Sequence, residues 1–558
     1  MNKQIVELNE DVSNSPLYSE DLAPVPSSKR TWSKWHLAAI WVGMAVCIPT
    51  YLLASYMIKT GLNWYEALII IGLANLIITI PMVLNGHAGV KYGVPFPVIG
   101  RSSFGIKGIH IPSVIRGLVA CGWFGVNTWL GGMAIYSIFI AISGTDAAIG
   151  LSIGQFVCFG IFWLINMYFI WKGTESIKWL ETYSAPILII MGLILIGWGY
   201  NSVGGFGTVL EQGKQLEIPV AEIYQAENEK NFIQINPIKD KDGVAKASEY
   251  QLILNGNELG WNALSKEDVS IGKISENDTY QIQLRNAKST SSIANVTPRT
   301  GKSSFGDKIW KYLIWLTAML GFWATMSLSI ADITRYSSSQ KAQVQGQFIG
   351  LPGTMMLYSF VGIFVTCAAI ISFDDILIAN DAPWDPIALL AKFDSVWVVV
   401  LAQIFMIIAT LSTNIAANVI APANAFSNLW PKKISFTRGG FITGIIGILI
   451  FPWLLLNEIQ GLLIDVSAVL GPVLAILVCD YYLINKKQIQ IAELYKENGM
   501  YSFGKSGVNK AAIIALLVGA FIAIGGKWIP AMSSLYAISW FSGFIISFVL
   551  YYLLMKKK

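Results

Sequence analysis

Charged side chains and histidine are scarce in this chain of 558 residues. Asp, Glu, Lys and Arg together make up 13% of it, and histidine occurs three times. The basic residues fall in short loops instead of forming one patch, so the formal charge of +5 does not indicate a nucleic-acid partner. The sequence also lacks a nucleophile with a neighbouring base and the HExxH metal motif, which argues against an enzyme.

Cysteine is rare as well, and its spacing excludes two further kinds of site. All five cysteines lie in apolar segments, and no pair has the CxxC spacing. Neither a disulfide framework nor a cysteine metal centre is indicated, and no cofactor is predicted. The cysteines are Cys47, Cys121, Cys158, Cys367 and Cys479.

Long apolar runs dominate what is present. Hydrophobic residues make up 54% of the chain and fall into runs of about 20, the length that spans about 30 Å of hydrocarbon. The sequence therefore predicts an all-α polytopic membrane protein with twelve transmembrane helices in a lipid bilayer. The predicted spans are 37–58, 67–85, 113–141, 151–171, 178–200, 309–331, 345–371, 396–420, 440–456, 459–485, 510–527 and 533–555.

Lysine and arginine predict the orientation of these spans. Most of them lie in the short loops on the side of the N-terminus, and the short loops of the other side carry only Lys59, Lys392 and Lys527. The positive-inside rule then places both termini in the cytoplasm, in a plasma or inner membrane. Residues 1–36 are polar and lack the apolar core of a signal peptide, so we predict a disordered cytoplasmic tail.

A polar region, residues 203–306, separates the fifth span from the sixth. Its stretches Tyr250–Asn255 and Thr279–Leu284 alternate between apolar and polar residues, which predicts a small β-rich insert outside the membrane, on the extracytoplasmic side. Two interpretations stay open: a tolerated loop insertion, or a domain that captures solute or binds a partner. Asn277 and Asn295 begin glycosylation sequons.

Two spans carry glycine or proline near the middle. Gly43 and Pro49 flank the midpoint of the first span, and Gly321 lies at a comparable depth in the sixth. Such residues at matching positions in two halves point to inverted repeats with unwound helices. The alternative is that these residues only allow close helix packing.

The segment from Ala409 to Val419 places polar groups in an apolar span. Ser412 and Thr413 offer hard oxygen ligands for a cation, whereas Asn414 and Asn418 offer amide donors and acceptors. Because polar groups in a membrane helix are costly, we interpret this segment as half of a transport site.

Aromatic residues indicate the other half. Trp123 and Asn127 are four residues apart in the third span and share a helix face, and Trp323 adds an indole from the sixth. A flat heterocycle between two indoles would gain stacking and apolar burial, and the carboxamides of Asn127 and Asn418 could then bind its C=O and N–H groups.

Four segments carry a family resemblance: Gly93–Arg101, Gly122–Trp129, Phe322–Asp332 and Ser412–Asn418. Together they resemble the nucleobase:cation symporter-1 family, and the resemblance covers nearly all of both membrane halves. It implies a leucine-transporter-like fold with a 5+5 inverted repeat, residues 37–202 and 307–485, followed by residues 486–558 with a cytoplasmic loop and two further helices.

The resemblance also implies roles for individual residues. The stacking indoles fall on Trp123 and Trp323, and the substrate-binding amides on Asn127 and Asn418. The cation ligands fall on the hydroxyls of Ser412 and Thr413 and on the carbonyls of Gly43, Val46 and Ala409. Three positions depart from the bacterial hydantoin transporter of this family: Cys47 and Asn127 replace glutamines, and Phe322 replaces a glycine and narrows the pocket.

The resemblance implies a symporter that imports allantoin, uracil, a hydantoin or a purine or pyrimidine base. The predicted midplane holds no Asp, Glu or His, which favours Na⁺ over H⁺ as the coupling ion, with Asp465 and Glu181 left as groups that could carry a proton. The alternative function is a membrane solute sensor that binds such a ligand without transporting it. No protein partner is indicated, so a monomer is predicted.

Overall fold

The computed structural model describes residues 5–146, 150–214, 218–225, 231–271, 278–299, 305–382 and 385–556. The helices before the insert are α1 (Lys34–Ala45), α2 (Ile48–Lys59), α3 (Trp64–Tyr92), α4 (Phe96–Ile99), α5 (Arg101–Phe104), α6 (His110–Ser143), α7 (Ile153–Lys172), α8 (Thr174–Val203) and α9 (Phe206–Gln212). Those after it are α10 (Phe305–Ser329), α11 (Ala331–Thr334), α12 (Gln340–Ser372), α13 (Pro386–Ala391), α14 (Val396–Asn418), α15 (Ile420–Leu429), α16 (Phe436–Leu449), α17 (Pro452–Leu455), α18 (Ile459–Cys479), α19 (Lys510–Gly525), α20 (Ser533–Ala537) and α21 (Ser539–Met555).

Apolar helices form the body of the molecule. Within the described ranges, eight helices are long and apolar enough to cross a membrane, and two bent pairs, α1 with α2 and α19 with α20, raise the number to ten. The shorter apolar helices α16 and α21 occupy the remaining predicted spans. The sequence prediction of a polytopic helical membrane protein is confirmed.

The first span is broken, as its sequence predicts. Helices α1 and α2 meet at an angle of 61°. Between them Val46 (φ −80°, ψ 81°) and Cys47 (φ −145°, ψ 160°) leave the helical conformation. Helix ends at such a break expose carbonyl and N–H groups that a ligand can use.

The sixth span is not broken at Gly321, so that prediction is wrong. Helix α10 runs without interruption from Phe305 to Ser329. A Cβ at Gly321 would lie 2.2 Å from the carbonyl oxygen of Leu463 and 2.4 Å from Oγ of Ser467, both on α18. The glycine serves close packing between two helices, which is the alternative that the sequence left open.

The prediction of a disordered tail over residues 1–36 is wrong for the described part of that segment. Leu22 is fully buried, and the hydroxyl of Tyr495 donates to its carbonyl at 2.8 Å. The guanidinium of Arg30 donates to the carbonyls of Val25 and Val90 at 2.8 and 2.9 Å. The polar average composition of the segment does not reveal these few anchoring residues, and the partners Val90 and Tyr495 lie far away in the sequence.

The insert contains two four-stranded sheets, with strand orders β5-β2-β1-β8 and β4-β3-β6-β7. The two strands predicted from alternation are confirmed as β3 and β6, which pair antiparallel. Asn277 lies outside the described residues, and Asn295 lies on β7. The strands are β1 (Ala221–Gln225), β2 (Asn231–Ile235), β3 (Glu249–Leu254), β4 (Asn257–Ala263), β5 (Asp268–Ile271), β6 (Tyr280–Arg285), β7 (Ala294–Asn295) and β8 (Thr297–Pro298).

The insert packs against the loop between α12 and α13. Leu377 and Ile378 of this loop are buried in the same apolar cluster as the sheet residues. Lys246 donates to the carbonyls of Ile370 and Phe373, the latter at 2.8 Å, where α12 ends. A cation at the carboxyl end of a helix is favourable, so Lys246 links the insert to the helical body.

Lys246 makes this attachment sensitive to pH. Burial lowers the pKa of Lys246 from 10.5 to about 8, against the opposing effect of Asp374, Asp375 and Asp240. At a pH between these two pKa values, the lysine of the unfolded chain is protonated and that of the folded protein is not, so this lysine increases the free energy of unfolding as pH rises from about 8 to 10.5.

We expect Lys246→Met to remove this increase in stability with pH. Thermal unfolding of both proteins between about pH 7 and 10 measures it, with Lys241→Met as the control that keeps the rise.

Candidate functional site

A cavity lies where α6, α10 and α14 meet the break in the first span. All six residues predicted to contact a substrate line it: Cys47, Trp123, Asn127, Phe322, Trp323 and Asn418. Thr413, predicted as a cation ligand, and Pro49, predicted at the break of the first span, also line it. Sequence reasoning missed the remaining lining residues, although the last three belong to family-like segments: Met44, Thr325, Met326 and Ala417.

Aromatic rings form one wall of the cavity. Phe322 contacts the indole of Trp123 edge-on, with centroids 5.4 Å apart, and the indole of Trp323 at 4.9 Å. The indole of Trp41 contacts that of Trp323 edge-on, with centroids 5.1 Å apart. Phe322 therefore contacts both indoles.

Unpartnered polar atoms belong to two lining residues. The side-chain nitrogen of Asn127 donates to the carbonyl of Trp123 at 3.0 Å, but its buried oxygen has no hydrogen-bond partner in the described structure. The same holds for the indole N–H of Trp323. Because buried polar groups are nearly always hydrogen-bonded, such atoms beside a cavity indicate places for a ligand's donor and acceptor.

The predicted cation ligands lie where α14 packs against α1. The hydroxyl of Thr413 is 3.1 Å from the carbonyl oxygen of Gly43 and 3.4 Å from that of Met44. Ala409 precedes Thr413 by one turn on the same buried face of α14, and Val46 lies at the break itself. The structure thus brings Thr413 and Gly43 into direct contact.

Ser412 makes a contact that sequence reasoning missed. Its hydroxyl lies 2.9 Å from that of Ser184 on α8, and both residues are buried. A serine inside the apolar fifth span was the available signal for Ser184. The contact adds a third helix to the region that holds the predicted cation ligands.

A buried arginine next to the cavity also escaped the sequence analysis. Arg116 of α6 donates from Nε to the carbonyl of Thr325 at 2.8 Å and from Nη2 to the hydroxyl of Ser329 at 3.0 Å. Since Thr325 lines the cavity, Arg116 fixes the stretch of α10 that forms one side of it. The sequence does not show which backbone carbonyl an arginine will bind, because every residue has a carbonyl.

Asp465 and Glu181 are the two acids that the sequence leaves as groups that could carry a proton. Asp465 accepts hydrogen bonds from Lys527 at 2.7 Å and from the hydroxyl of Tyr536 at 2.8 Å, and it does not line the cavity. The side chain of Glu181 lies outside the described structure. Among the described residues that line the cavity there is no Asp, Glu or His.

Comparison with known proteins identifies the family. Residues 24–225 and 288–543 match the family described as permease for cytosine/purines, uracil, thiamine and allantoin. The chain belongs to this nucleobase:cation symporter-1 family. The match omits residues 226–287, which lie within the β-rich insert. The family's members are permeases, and this permease is a multi-pass membrane protein.

Named relatives resemble this permease over almost its whole length. It is 32% identical to an allantoin permease of Bacillus subtilis, with 97% of this chain and 93% of the relative covered. It is 34% identical to a purine-uracil permease of Arabidopsis thaliana, with 97% and 78% covered.

Solved structures establish the fold. Mhp1, a nucleobase-cation-symport-1 family transporter in a closed conformation with bromovinylhydantoin bound, superposes with a TM-score of 0.68 at 20% identity and covers 97% of this chain and 96% of its own. A Na⁺-coupled sialic acid symporter gives 0.55 at 12% identity, with 94% and 91% covered. The predicted leucine-transporter-like fold is confirmed.

Proposed function

We propose that this permease imports a nucleobase or a related cyclic amide, such as allantoin, uracil, a hydantoin or a purine or pyrimidine base, together with a cation. The observation that carries the proposal is the cavity between Trp123 and Trp323, beside which Asn127 keeps an unpartnered acceptor and Trp323 an unpartnered donor. A flat amide ring offers stacking faces and both kinds of hydrogen-bonding group.

The coupling ion of the proposal is Na⁺. The oxygen ligands would be the hydroxyls of Ser412 and Thr413 and the carbonyls of Gly43, Val46 and Ala409, a set of hard donors suited to an alkali cation. A proton-coupled carrier needs a titratable group on the pathway, whereas the described cavity lining offers no carboxylate or imidazole. This comparison supports Na⁺ over H⁺.

Transport would follow alternating access. Thr413 lines the cavity and also contacts Gly43 across the α1–α14 interface, so cation and substrate would bind to opposite sides of one side chain. A cation that stabilises the substrate-binding form raises substrate affinity, and the substrate raises cation affinity by the same factor. That reciprocity is what lets a sodium gradient drive uptake.

The orientation proposed is the one with cytoplasmic termini in a plasma or inner membrane, and the protein would act as a monomer. Basic residues from three of the loops that the positive-inside rule groups together contact the N-terminal segment. Val6 of the N-terminal segment donates to the carbonyl of Lys91 at 2.8 Å, Arg335 donates to the carbonyl of Asp21 at 3.0 Å, and Lys432 to that of Ser13 at 2.9 Å. Their contacts with the same segment support the proposal that these loops share the cytoplasmic side with the N-terminus.

Radiolabelled uptake tests the proposal. Cells that express the permease are given labelled allantoin, uracil, hydantoin, cytosine or adenine, with and without an inward sodium gradient. We expect at least one ring to accumulate against its own gradient and only when sodium is present. Binding without accumulation of any ring would overturn the transporter proposal in favour of the sensor, and sodium-independent, proton-driven accumulation would overturn the choice of ion.

A further inference from the structure

The two carboxamides that line the cavity are held by the protein through their nitrogens. Asn127 donates its Nδ2 hydrogen to the carbonyl of Trp123 at 3.0 Å. Asn418 donates from Nδ2 to Oδ1 of Asn414 at 3.1 Å. The oxygen of Asn127 has no hydrogen-bond partner in the described structure, and the nitrogen of Asn418 is taken up by Asn414. In both residues the oxygen is therefore the end left for a ligand.

The orientation of Asn418 follows from Asn414, which has its own orientation fixed. Nδ2 of Asn414 lies 3.1 Å from Oγ1 of Thr128, 3.1 Å from Oδ1 of Asn166 and 3.3 Å from the carbonyl oxygen of Phe124. All of these act as acceptors, so only the NH₂ group of Asn414 fits there. Its Oδ1 must then point to Asn418.

Backbone carbonyls fix the orientation of Asn166 and Thr128, the two side chains that accept from Asn414. Asn166 donates from Nδ2 to the carbonyl of Phe162 at 2.9 Å, which leaves its Oδ1 to accept from Asn414. Thr128 donates its hydroxyl hydrogen to the carbonyl of Phe124 at 2.6 Å, which leaves its lone pairs for Asn414. A carbonyl can only accept, so neither side chain can be reversed without losing a buried hydrogen bond.

We propose that Asn414, Thr128 and Asn166 are positioning residues that keep the oxygen of Asn418 directed to the cavity, and that the site selects rings with two N–H donors. The inference rests on the proposed function and deepens it. Asn127 has an unpartnered oxygen, the hydrogen bond to Asn414 leaves the oxygen of Asn418 as its acceptor, and the indole N–H of Trp323 is an unpartnered donor. The matching ligand is a cyclic ureide or imide with two ring N–H groups and a carbonyl, and rings that offer only acceptors are excluded.

Methyl isomers of uracil test the donor requirement at constant size. 1-Methyluracil and 3-methyluracil each lack one N–H group, whereas 5-methyluracil and 6-methyluracil carry the same added carbon and keep both. We expect the purified wild-type permease, in the presence of Na⁺, to bind one of the two C-methyl isomers at least about tenfold more tightly than either N-methyl isomer. Ligand-induced thermal stabilisation measures these affinities.

A double variant tests the positioning residues. Thr128→Val with Asn166→Leu removes two of the acceptors that orient Asn414, and both substitutions keep side-chain size. We expect the ratio between C-methyl and N-methyl affinities to fall at least about threefold, because only the carbonyl of Phe124, 3.3 Å from Nδ2, then orients Asn414. A purely structural role would lower all affinities together and leave the ratio unchanged.

Helix α3 provides a matched control. Asn75 and Thr79 are fully buried and bond the carbonyls of Ile71 and Asn75 at 2.7 and 2.6 Å, as Asn166 and Thr128 do on their helices. Asn75→Leu with Thr79→Val should keep the wild-type ratio. Wild-type protein that binds N-methyl and C-methyl isomers alike, or an unchanged ratio in the Thr128/Asn166 variant, overturns the inference while uptake still stands. Failure to bind or transport any ring of the uptake panel overturns the proposed function itself.

Discussion

Trp123→Ala is expected to weaken substrate binding by about thirtyfold, or about 2 kcal/mol, since stacking of one base on an aromatic side chain contributes about 1–3 kcal/mol. Trp123 is 6% exposed, lines the cavity and packs against Phe322, so its removal takes away a stacking face and widens the space next to Phe322. Equilibrium binding of whichever labelled ring the uptake panel identifies measures the effect, at saturating sodium.

The control for this variant is another buried tryptophan. Trp540 is 5% exposed and stacks on Phe544 with centroids 5.1 Å apart, away from the residues that line the cavity. Removing either indole lowers stability, because truncation of a buried tryptophan to alanine costs about 3–5 kcal/mol. Only Trp123→Ala should change the Kd of the folded fraction. An unchanged Kd in Trp123→Ala would reject the stacking model.

The residues around the cavity could be predicted because a polar side chain in an apolar span has a free-energy cost. Asn127 and Asn418 are carboxamides in membrane-length helices, where polar groups are retained mainly for function or for hydrogen bonding between helices. Helical spacing then places Trp123 with Asn127 and Ala409 with Thr413 on common faces. The structure brings Trp123, Asn127 and Asn418 to one cavity.

Glycine signals were ambiguous for a physical reason. A glycine lacks a Cβ, which both loosens a helix and lets another helix approach. At Gly43 the chain breaks three residues later, whereas at Gly321 the backbone of α18 comes so close that a side chain would not fit. The deciding partner, Leu463, lies more than a hundred residues away in the sequence.

Contacts that depend on backbone carbonyls were beyond sequence reasoning. Arg30 and Arg116 are buried by donating to carbonyls of distant residues, and a carbonyl is present at every position. The polar composition of residues 1–36 predicted disorder because an average hides single anchors such as Leu22. Asn414 illustrates the same limit, since its three acceptors come from two other helices.

Thr413→Val is expected to raise the sodium concentration needed for half-maximal uptake by about tenfold, the effect of losing roughly 1.4 kcal/mol of cation binding. Valine has the shape of threonine, so the substitution removes the hydroxyl that lies 3.1 Å from the carbonyl oxygen of Gly43 and little else. Initial uptake rates measured over a range of sodium concentrations give the shift.

Linkage separates a cation ligand from a residue that only supports the fold. If Thr413 binds the cation, substrate affinity in Thr413→Val should fall at low sodium and recover at saturating sodium, because the coupled ion then fills the site again. Thr410→Val is the matched control: Thr410 lies on the same helix, is fully buried and bonds the carbonyl of Met406 at 2.7 Å. An equal shift in both variants, or affinity that sodium does not restore, would show that the hydroxyl of Thr413 acts through packing and not as a ligand of the coupling ion.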